Sequence, residues 1–289
     1  MSKIGLVLEG GGMRGAYTAG TLTWLLDNNI EFNYGVGISS GAVTLCSYYL
    51  KNRQLLEDIS VKYTADPKNV GIKSLFREGR YVGYDYMFEH ILIDTLKYDI
   101  SPIIEKNINM EVGLYDLDLA QTIFVGPKKL DKGLKILKAC CSLPIAGHIV
   151  DYDGHRYLDG GIQIMIPYQR SIDNGNDKHL VIVTKPEGYT RKAAGSKMQA
   201  MMKFNYKKYP KLVSHYTNRH IAYNEQMGKI EEGVKNGNTL LIRPSIDIPV
   251  KRFSGDIDNL KKLFDLGYKD MENNSTEIYK FMNISKELS

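Results

Sequence analysis

The sequence predicts an α/β domain on a mostly parallel central sheet, and three observations predict it. Short apolar runs of strand length alternate with longer stretches at helical spacing. Two of those runs pass into helix through glycine-containing turns, Gly10-Gly11-Gly12-Met13-Arg14-Gly15 and Gly37-Ile38-Ser39-Ser40-Gly41. The clearest runs, Ile4 to Leu8 and Leu180 to Thr184, are continuously apolar, as strands covered on both faces require.

The elements follow in order. Ile4 to Leu8 is the first strand. Met13 to Asp27 carries Leu22, Leu25 and Leu26 at helical spacing and ends at Asn28-Asn29. Tyr34 to Ile38 is a second strand, and Ala42 to Leu50 a second helix. Residues 53–118, mixed and rich in Tyr and charge, read as helix with loops, broken by Pro67 and Gly71. Thr122 to Val125 is a strand stopped by Gly126-Pro127. Leu134 to Cys141 is a short helix closed by Pro144. A hairpin follows, with its turn at Asp151 to Gly154. After the strand at Leu180, Ala193 to Lys235 is helical with a break at Pro210. Leu240 to Arg243 is the last strand, and an amphipathic helix starts near Asp256.

With 289 residues and no linker-like stretch, the chain reads as one domain, a core of about 4–245 with a helical extension over about 250–289. Its 43% hydrophobic and 25% charged residues exclude a disordered or collagen-like chain. The longest apolar runs are about five residues, against roughly 20 for a membrane span. Glu9 comes too early for a signal peptide. Three cysteines, two of them adjacent (Cys140, Cys141), make neither a disulfide framework nor a zinc pattern. A reducing, cytoplasmic compartment is expected. Net charge is +5, but Arg191 to Ile230 holds nine Lys/Arg against Glu225 alone, a local +8 that favours anionic partners.

Three motifs carry chemistry. The loop Gly10 to Gly15, between strand and helix, exposes backbone N–H groups at a helix N-terminus. It lacks the Gly-Lys-Ser/Thr of a P-loop. A dinucleotide pyrophosphate, an acyl-transfer oxyanion or no ligand at all fit it. The second motif is G-x-S-x-G, with Ser39 centred between Gly37 and Gly41: the pattern of a nucleophile on a sharp strand-to-helix turn. Ser40 is off centre and a poor nucleophile. A dinucleotide fold would offer an acidic residue at the end of this strand instead. The third is Asp159-Gly160-Gly161 after the strand ending at Leu158. A serine hydroxyl needs a base. None of the six histidines, His90, His148, His155, His179, His215 and His220, sits in a recognisable motif. Asp159, flanked by glycines, is the candidate carboxylate, although Asp-Gly-Gly is also a common turn.

Together the three motifs resemble the bacterial patatin-like phospholipases. Lys138-Ala139-Cys140-Cys141-Ser142-Leu143-Pro144, Tyr157 to Gly161 through Ile166-Pro167, His179 to Tyr189 and Leu240 to Pro244 add to the likeness, which spans most of residues 4–245. The resemblance implies a three-layer α/β/α fold and a metal-free, cofactor-free Ser–Asp dyad acting on phospholipid or lysophospholipid esters. Ser39 would be the nucleophile and Asp159 the base. Gly10, Gly11, Gly12, Arg14 and Gly15 would form the oxyanion hole, with the amides near Gly11 and Gly12 as donors and Arg14 bracing the loop. An acyl channel is expected along residues 53–118. Cys140 and Cys141 stand where the family often has Ala or Ser, and Met165 where many members have Asn. Neither departure is expected to touch the dyad.

Two other features are weighed. Asp151, Asp153 and His155 share a side of the hairpin and could hold a metal, but a polar turn explains them. The basic aromatic segment 203–211 suits either peripheral contact with an anionic membrane or a solvated helix face. No nucleic-acid motif accompanies its charge, and no nucleic acid is expected.

Overall fold

Leu6 and Leu8 pack into one hydrophobic cluster and Val7, between them, into a second. The strand that carries them, β1 (Ile4–Leu8), is therefore buried on both faces. The computed structural model describes residues 2–284, so Met1 and residues 285–289 of the expected C-terminal extension lie outside the described residues. A 3-10 turn at Gly12–Arg14 leads from β1 into α1 (Gly15–Asp27). β2 (Tyr34–Ile38) runs into α2 (Ser40–Tyr49). An excursion follows through α3 (Arg53–Glu57), a π-helical segment Asp58–Tyr63, α4 (Ile72–Glu78), a second π-helical segment Tyr86–Thr95 and α5 (Ser101–Glu105). β3 (Met110–Asp116), β4 (Gln121–Val125) and α6 (Lys135–Cys141) precede the hairpin of β5 (Val150–Tyr152) and β6 (His155–Asp159). Then come α7 (Tyr168–Asp173), β7 (Lys178–Ile182), α8 (Ser196–Asn205), α9 (Pro210–Lys235), β8 (Thr239–Ile242), α10 (Ile257–Asn273) and α11 (Ser275–Met282).

The strands form one sheet in the order β5-β6-β3-β2-β1-β7-β8, with β4 also paired to β3. The run β3-β2-β1-β7-β8 is parallel; β4, β5 and β6 pair antiparallel. Leu22 and Leu25 of α1, Leu45 of α2, Leu137 of α6 and Phe264 of α10 cover one face. Tyr168 of α7 with Tyr223 and Ile230 of α9 cover the other. Met202 of α8 and Leu212 and Tyr216 of α9 extend that layer over Tyr115 and Leu158. The result is three layers, α/β/α. Among the described residues no helix is long and apolar enough to cross a membrane.

The opening strand–turn–helix pattern lies where the motifs place it, and Pro210 breaks the long helical stretch as the first residue of α9. Two expectations need correction. The hairpin turn is only Asp153-Gly154, both at left-handed φ (50° and 78°), the pair a two-residue turn demands. Residues 53–118 are not all helix and loop, because Met110–Asp116 is a central strand. Its Glu111 reads as surface, yet it is neutralised in place by Arg170 (two contacts at 2.7 Å) and the Tyr34 hydroxyl (2.6 Å).

The C-terminal helix is joined to α1 at close quarters. A Cβ on Gly20 would fall 1.9 Å from the Phe264 carbonyl oxygen, and one on Gly267 would fall 2.2 Å from that of Tyr17. The Tyr17 hydroxyl donates to buried Asp270 at 3.0 Å, which also accepts from the Ser245 amide and hydroxyl.

Candidate active site

Ser39 sits between β2 and α2 at φ 55° and ψ −127°, a conformation that a residue with a Cβ adopts only under constraint. The constraint is close packing. A Cβ on Gly37 would lie 2.5 Å from the Gly41 carbonyl oxygen, and one on Gly41 would lie 2.8 Å from that of Glu9. Helix α2 therefore starts hard against β1 and β2, and the serine side chain is turned out at its N-terminus.

β3 decides what Ser39 meets. Ile38 pairs with Gly113 in the parallel ladder to β2, and Asp159 pairs with Leu114 in the antiparallel ladder to β6. β4 occupies the opposite edge of β3 over Val112 to Asp116. β2 and β6 thus share one edge and run toward each other, with their C-terminal ends meeting at adjacent residues of β3. Ser39 and Asp159 line one small cavity there, together with Gly10, Gly12, Gly161, Met165 and Arg252.

Asp159 is 2% exposed. The Gly161 amide donates to its Oδ1 at 2.7 Å, and its own amide donates to the Ser142 carbonyl at 2.8 Å. Gly160 lets the chain cross β3 closely, since a Cβ there would sit 2.7 Å from the Gly113 carbonyl oxygen. Burial pushes the Asp159 carboxyl above its ordinary 3.8. The neighbouring Ser39 hydroxyl and the hydrogen bond from the Gly161 amide, then the charges of Arg252 and Arg219, pull it back.

The glycine loop is largely spoken for. The Gly10 amide donates to the Met165 carbonyl (3.1 Å), that of Gly11 to the Ser40 hydroxyl (3.0 Å), that of Met13 to the Arg252 carbonyl (3.1 Å), and that of Gly15 to the carbonyls of Gly12 and Met13. The Gly12 amide has no protein acceptor among the described residues. Gly12 holds φ at +60°, and a Cβ on it would meet the Arg252 carbonyl oxygen at 2.6 Å. One open donor beside Ser39 suits a single oxyanion better than a pyrophosphate, which needs several. Ser40, set aside as a nucleophile, holds the loop. The guanidinium of Arg14 makes no hydrogen bond to the loop or to any other described residue, and its Nε is buried without a partner.

Ser39 also lines a second, larger cavity. Its walls are mostly apolar and come largely from the excursion, including Ile59, Val82, Tyr84, Met87, Phe88 and Ile91, with Phe253 from the C-terminal part. Two of the three residues that depart from the family pattern line the cavities at the pair. Cys141 lines the cavity beside Ser39, and Met165 lines the small one beside Asp159. Burial pushes the Cys141 thiol well up, so it stays protonated. Sequence reasoning missed Arg252 and Phe253, which carry no local motif; the Met13 amide holds the Arg252 carbonyl, and the Phe253 ring packs edge-on against Tyr81.

Among the described residues, Asp116, Asp118 and His155 could hold a metal, with ligand atoms within 4.8 Å of one another. Asp151 and Asp153 do not join it; Asp153 pairs with Lys129 at 2.9 Å. Asp118 already pairs with Arg156.

The chain is similar to several known proteins. Residues 209–283 match a domain of unknown function, DUF6363. The uncharacterized protein YjjU of Escherichia coli (strain K12) is 27% identical over 190 residues, 64% of this chain and 52% of that protein, so the chain spans about half of that relative's length. The crystal structure of VipD from Legionella pneumophila aligns over 98% of this chain and 67% of its own, with a TM-score of 0.40 and 10% identity. The stretch holding the glycine loop, the Ser39 elbow and Asp159, residues 6–170, matches the family described as Patatin-like phospholipase, and on that match the chain belongs to the patatin-like phospholipase family.

Proposed function

We propose that the protein is a serine acyl-ester hydrolase of the phospholipase A or lysophospholipase type, with Ser39 as nucleophile and Asp159 as base. The observation that carries the reading is the meeting of β2 and β6 on β3, which puts a hydroxyl and a buried carboxylate together on one small cavity, with the hydroxyl also lining the apolar one. Ser39 Oγ attacks the ester carbonyl carbon as its proton passes to Asp159. The Gly12 amide faces the oxyanion, and one such donor is worth roughly 3–4 kcal/mol in the transition state. The intermediate collapses, and the leaving alcohol takes the proton from Asp159. Water then attacks the acyl-enzyme and gives a proton to Asp159. The fatty acid leaves and Ser39 regains its proton. The acyl chain occupies the apolar cavity.

Two exposed phenylalanines suit contact with an anionic membrane. Phe204 is 83% exposed beside Lys203, Lys207 and Lys208, and Phe76 of α4 is 88% exposed. Tyr206 and Tyr209 do not share this role: Tyr206 is buried and accepts the Ile145 amide, and Tyr209 accepts from Arg156. Co-sedimentation with anionic vesicles should weaken in a Phe76→Ser, Phe204→Ser double variant.

The primary test is labelling by a fluorophosphonate serine probe. Wild type should label, Ser39→Ala should not, and Asp159→Asn should label weakly. Well-folded wild type that stays unlabelled and cleaves no acyl ester would overturn the reading.

A further inference from the structure

Ten arginines are present, and five of them pair with carboxylates: Arg53, Arg77, Arg156, Arg170 and Arg243. Arg80 is exposed. The other four, Arg14, Arg191, Arg219 and Arg252, are half-buried, and among the described residues none has a carboxylate within salt-bridge distance or a hydrogen-bond acceptor for its guanidinium. Nε of Arg14 and Nη1 of Arg219 are buried with no partner at all. A buried guanidinium N–H without an acceptor is unfavourable, and four together repel one another.

These side chains are held in place rather than loose. Arg252 lines both cavities beside Ser39, with its carbonyl fixed by the Met13 amide. Arg191 is clasped to α9 by two backbone hydrogen bonds with Asn224, and its guanidinium lies over the Tyr223 ring. Arg219 stacks on Tyr216 at 4.0 Å. Stacking fixes a guanidinium plane and leaves its N–H edge free. Burial, then the charge of Arg252, lowers the pKa of Arg14, Arg191 and Arg219 alike, that of Arg219 to about 9. The acids whose charge bears on the group offer little relief. Glu9 is buried, hydrogen-bonded to Thr184 and itself pushed toward the neutral form, and Asp159 belongs to the reacting pair.

We propose that Arg14, Arg191, Arg219 and Arg252 form a receptor for a phosphate group carried by the substrate, reaching the reacting pair through Arg252. The inference rests on the hydrolase reading for its orientation and narrows the substrate class from phospholipids at large to acyl esters that end in a phosphomonoester. Four unneutralised cations favour a phosphomonoester, which carries close to two negative charges, over a zwitterionic headgroup. Arg191, Arg219 and Arg252 lie beyond the stretch that matches the patatin-like family, and two of them lie within residues 209–283. Supplying this receptor is the task the structure assigns to that C-terminal segment.

The test compares kcat/KM for a 1-acyl-glycerol 3-phosphate with that for the 1-acyl-glycerol of the same chain. Wild type should favour the phosphate ester, and the ratio should fall roughly tenfold or more in Arg219→Gln and in Arg191→Gln, the scale of a lost charged hydrogen bond. Any effect of these charges on Asp159 enters both substrates and cancels in the ratio. A ratio unchanged in both variants would overturn the proposal. So would inorganic phosphate that accelerates cleavage of the neutral ester, since the site would then hold the free ion; competitive inhibition of the phosphate ester alone supports a headgroup site. If no ester is cleaved, the hydrolase reading fails by itself. The receptor is then judged on Ser39→Ala protein, which should bind dodecyl phosphate more tightly than dodecyl maltoside and lose that preference with Arg219→Gln added.

Discussion

Asp159 stands opposite Leu114 in the ladder between β6 and β3. That register places it one residue from the level of Ile38, which stands opposite Gly113 on the same edge. The closeness of Ser39 and Asp159 is therefore a property of backbone pairing, set by three strands and not by a flexible loop. Sites built on strands hold their geometry better than sites built on loops.

The first prediction concerns pH. A base must be ionised, so kcat/KM falls as Asp159 takes up a proton. Burial raises that pKa above 3.8, while the charges of Arg252 and Arg219 lower it. Removing one of those charges lets the pKa rise further. Arg219→Gln should move the acid limb of the kcat/KM profile to higher pH, and Arg219→Lys should leave it near the wild-type position. An acid limb that stays in place, or moves down, would mean that Asp159 is not the group being titrated.

Much of this arrangement was legible in the sequence, and the gaps have physical causes. Glycines mark the loop, the elbow and the Asp turn because backbone approaches within 3 Å exclude a Cβ, and that signal is local. β3 was illegible because its Glu111 looks solvent-facing until Arg170 and Tyr34, far off in sequence, are seen to neutralise it. The basic stretch after Arg191 was visible as charge, but charge alone does not say which cations turn inward. Its exposed lysines remain on the surface, whereas Arg191 and Arg219 sit on tyrosines beside the site. Arg252 lies outside every motif, because its position depends on the docking of α10 on α1.

The strained elbow gives the second prediction. Ser39 holds φ 55° against ψ −127°, a region open to glycine and costly to any residue with a Cβ, by about 1–3 kcal/mol. Ser39→Ala and Ser39→Gly should both abolish turnover. Ser39→Gly should nevertheless be the more stable of the two by about 1 kcal/mol, seen as a higher denaturation midpoint. Equal midpoints would show that the turn carries no strain.

A third prediction comes from His179, on β7. It is buried, with Nδ1 2.8 Å from the Ser171 hydroxyl, and burial lowers its pKa from 6.5 to about 4. In the unfolded chain it protonates near 6.5. Its contribution to stability is therefore complete above pH 6.5 and is lost as pH falls from there through about 4. Wild type should lose melting temperature over that window, and His179→Gln should lose less. Parallel curves would assign the acid sensitivity to other groups.

The last prediction tests whether the C-terminal helix is part of the working fold. α10 approaches α1 so closely at Gly267 that an added methyl would lie 2.2 Å from the Tyr17 carbonyl oxygen. The obstacle is backbone, so no side chain can rotate away, and one helix must shift. Overpacking of this kind costs about 1–3 kcal/mol. The shift also reaches the site, because α1 begins where the glycine loop ends and the Met13 amide rests on the Arg252 carbonyl five residues before α10 begins at Ile257. Gly267→Ala should therefore lower both stability and kcat/KM. Gly228→Ala, in α9 with nothing within 4 Å of an added Cβ, should leave stability unchanged or raise it slightly. If Gly267→Ala were as well tolerated as Gly228→Ala, α10 would not be docked at this spacing, and the route by which Arg252 reaches Ser39 would have to be sought elsewhere.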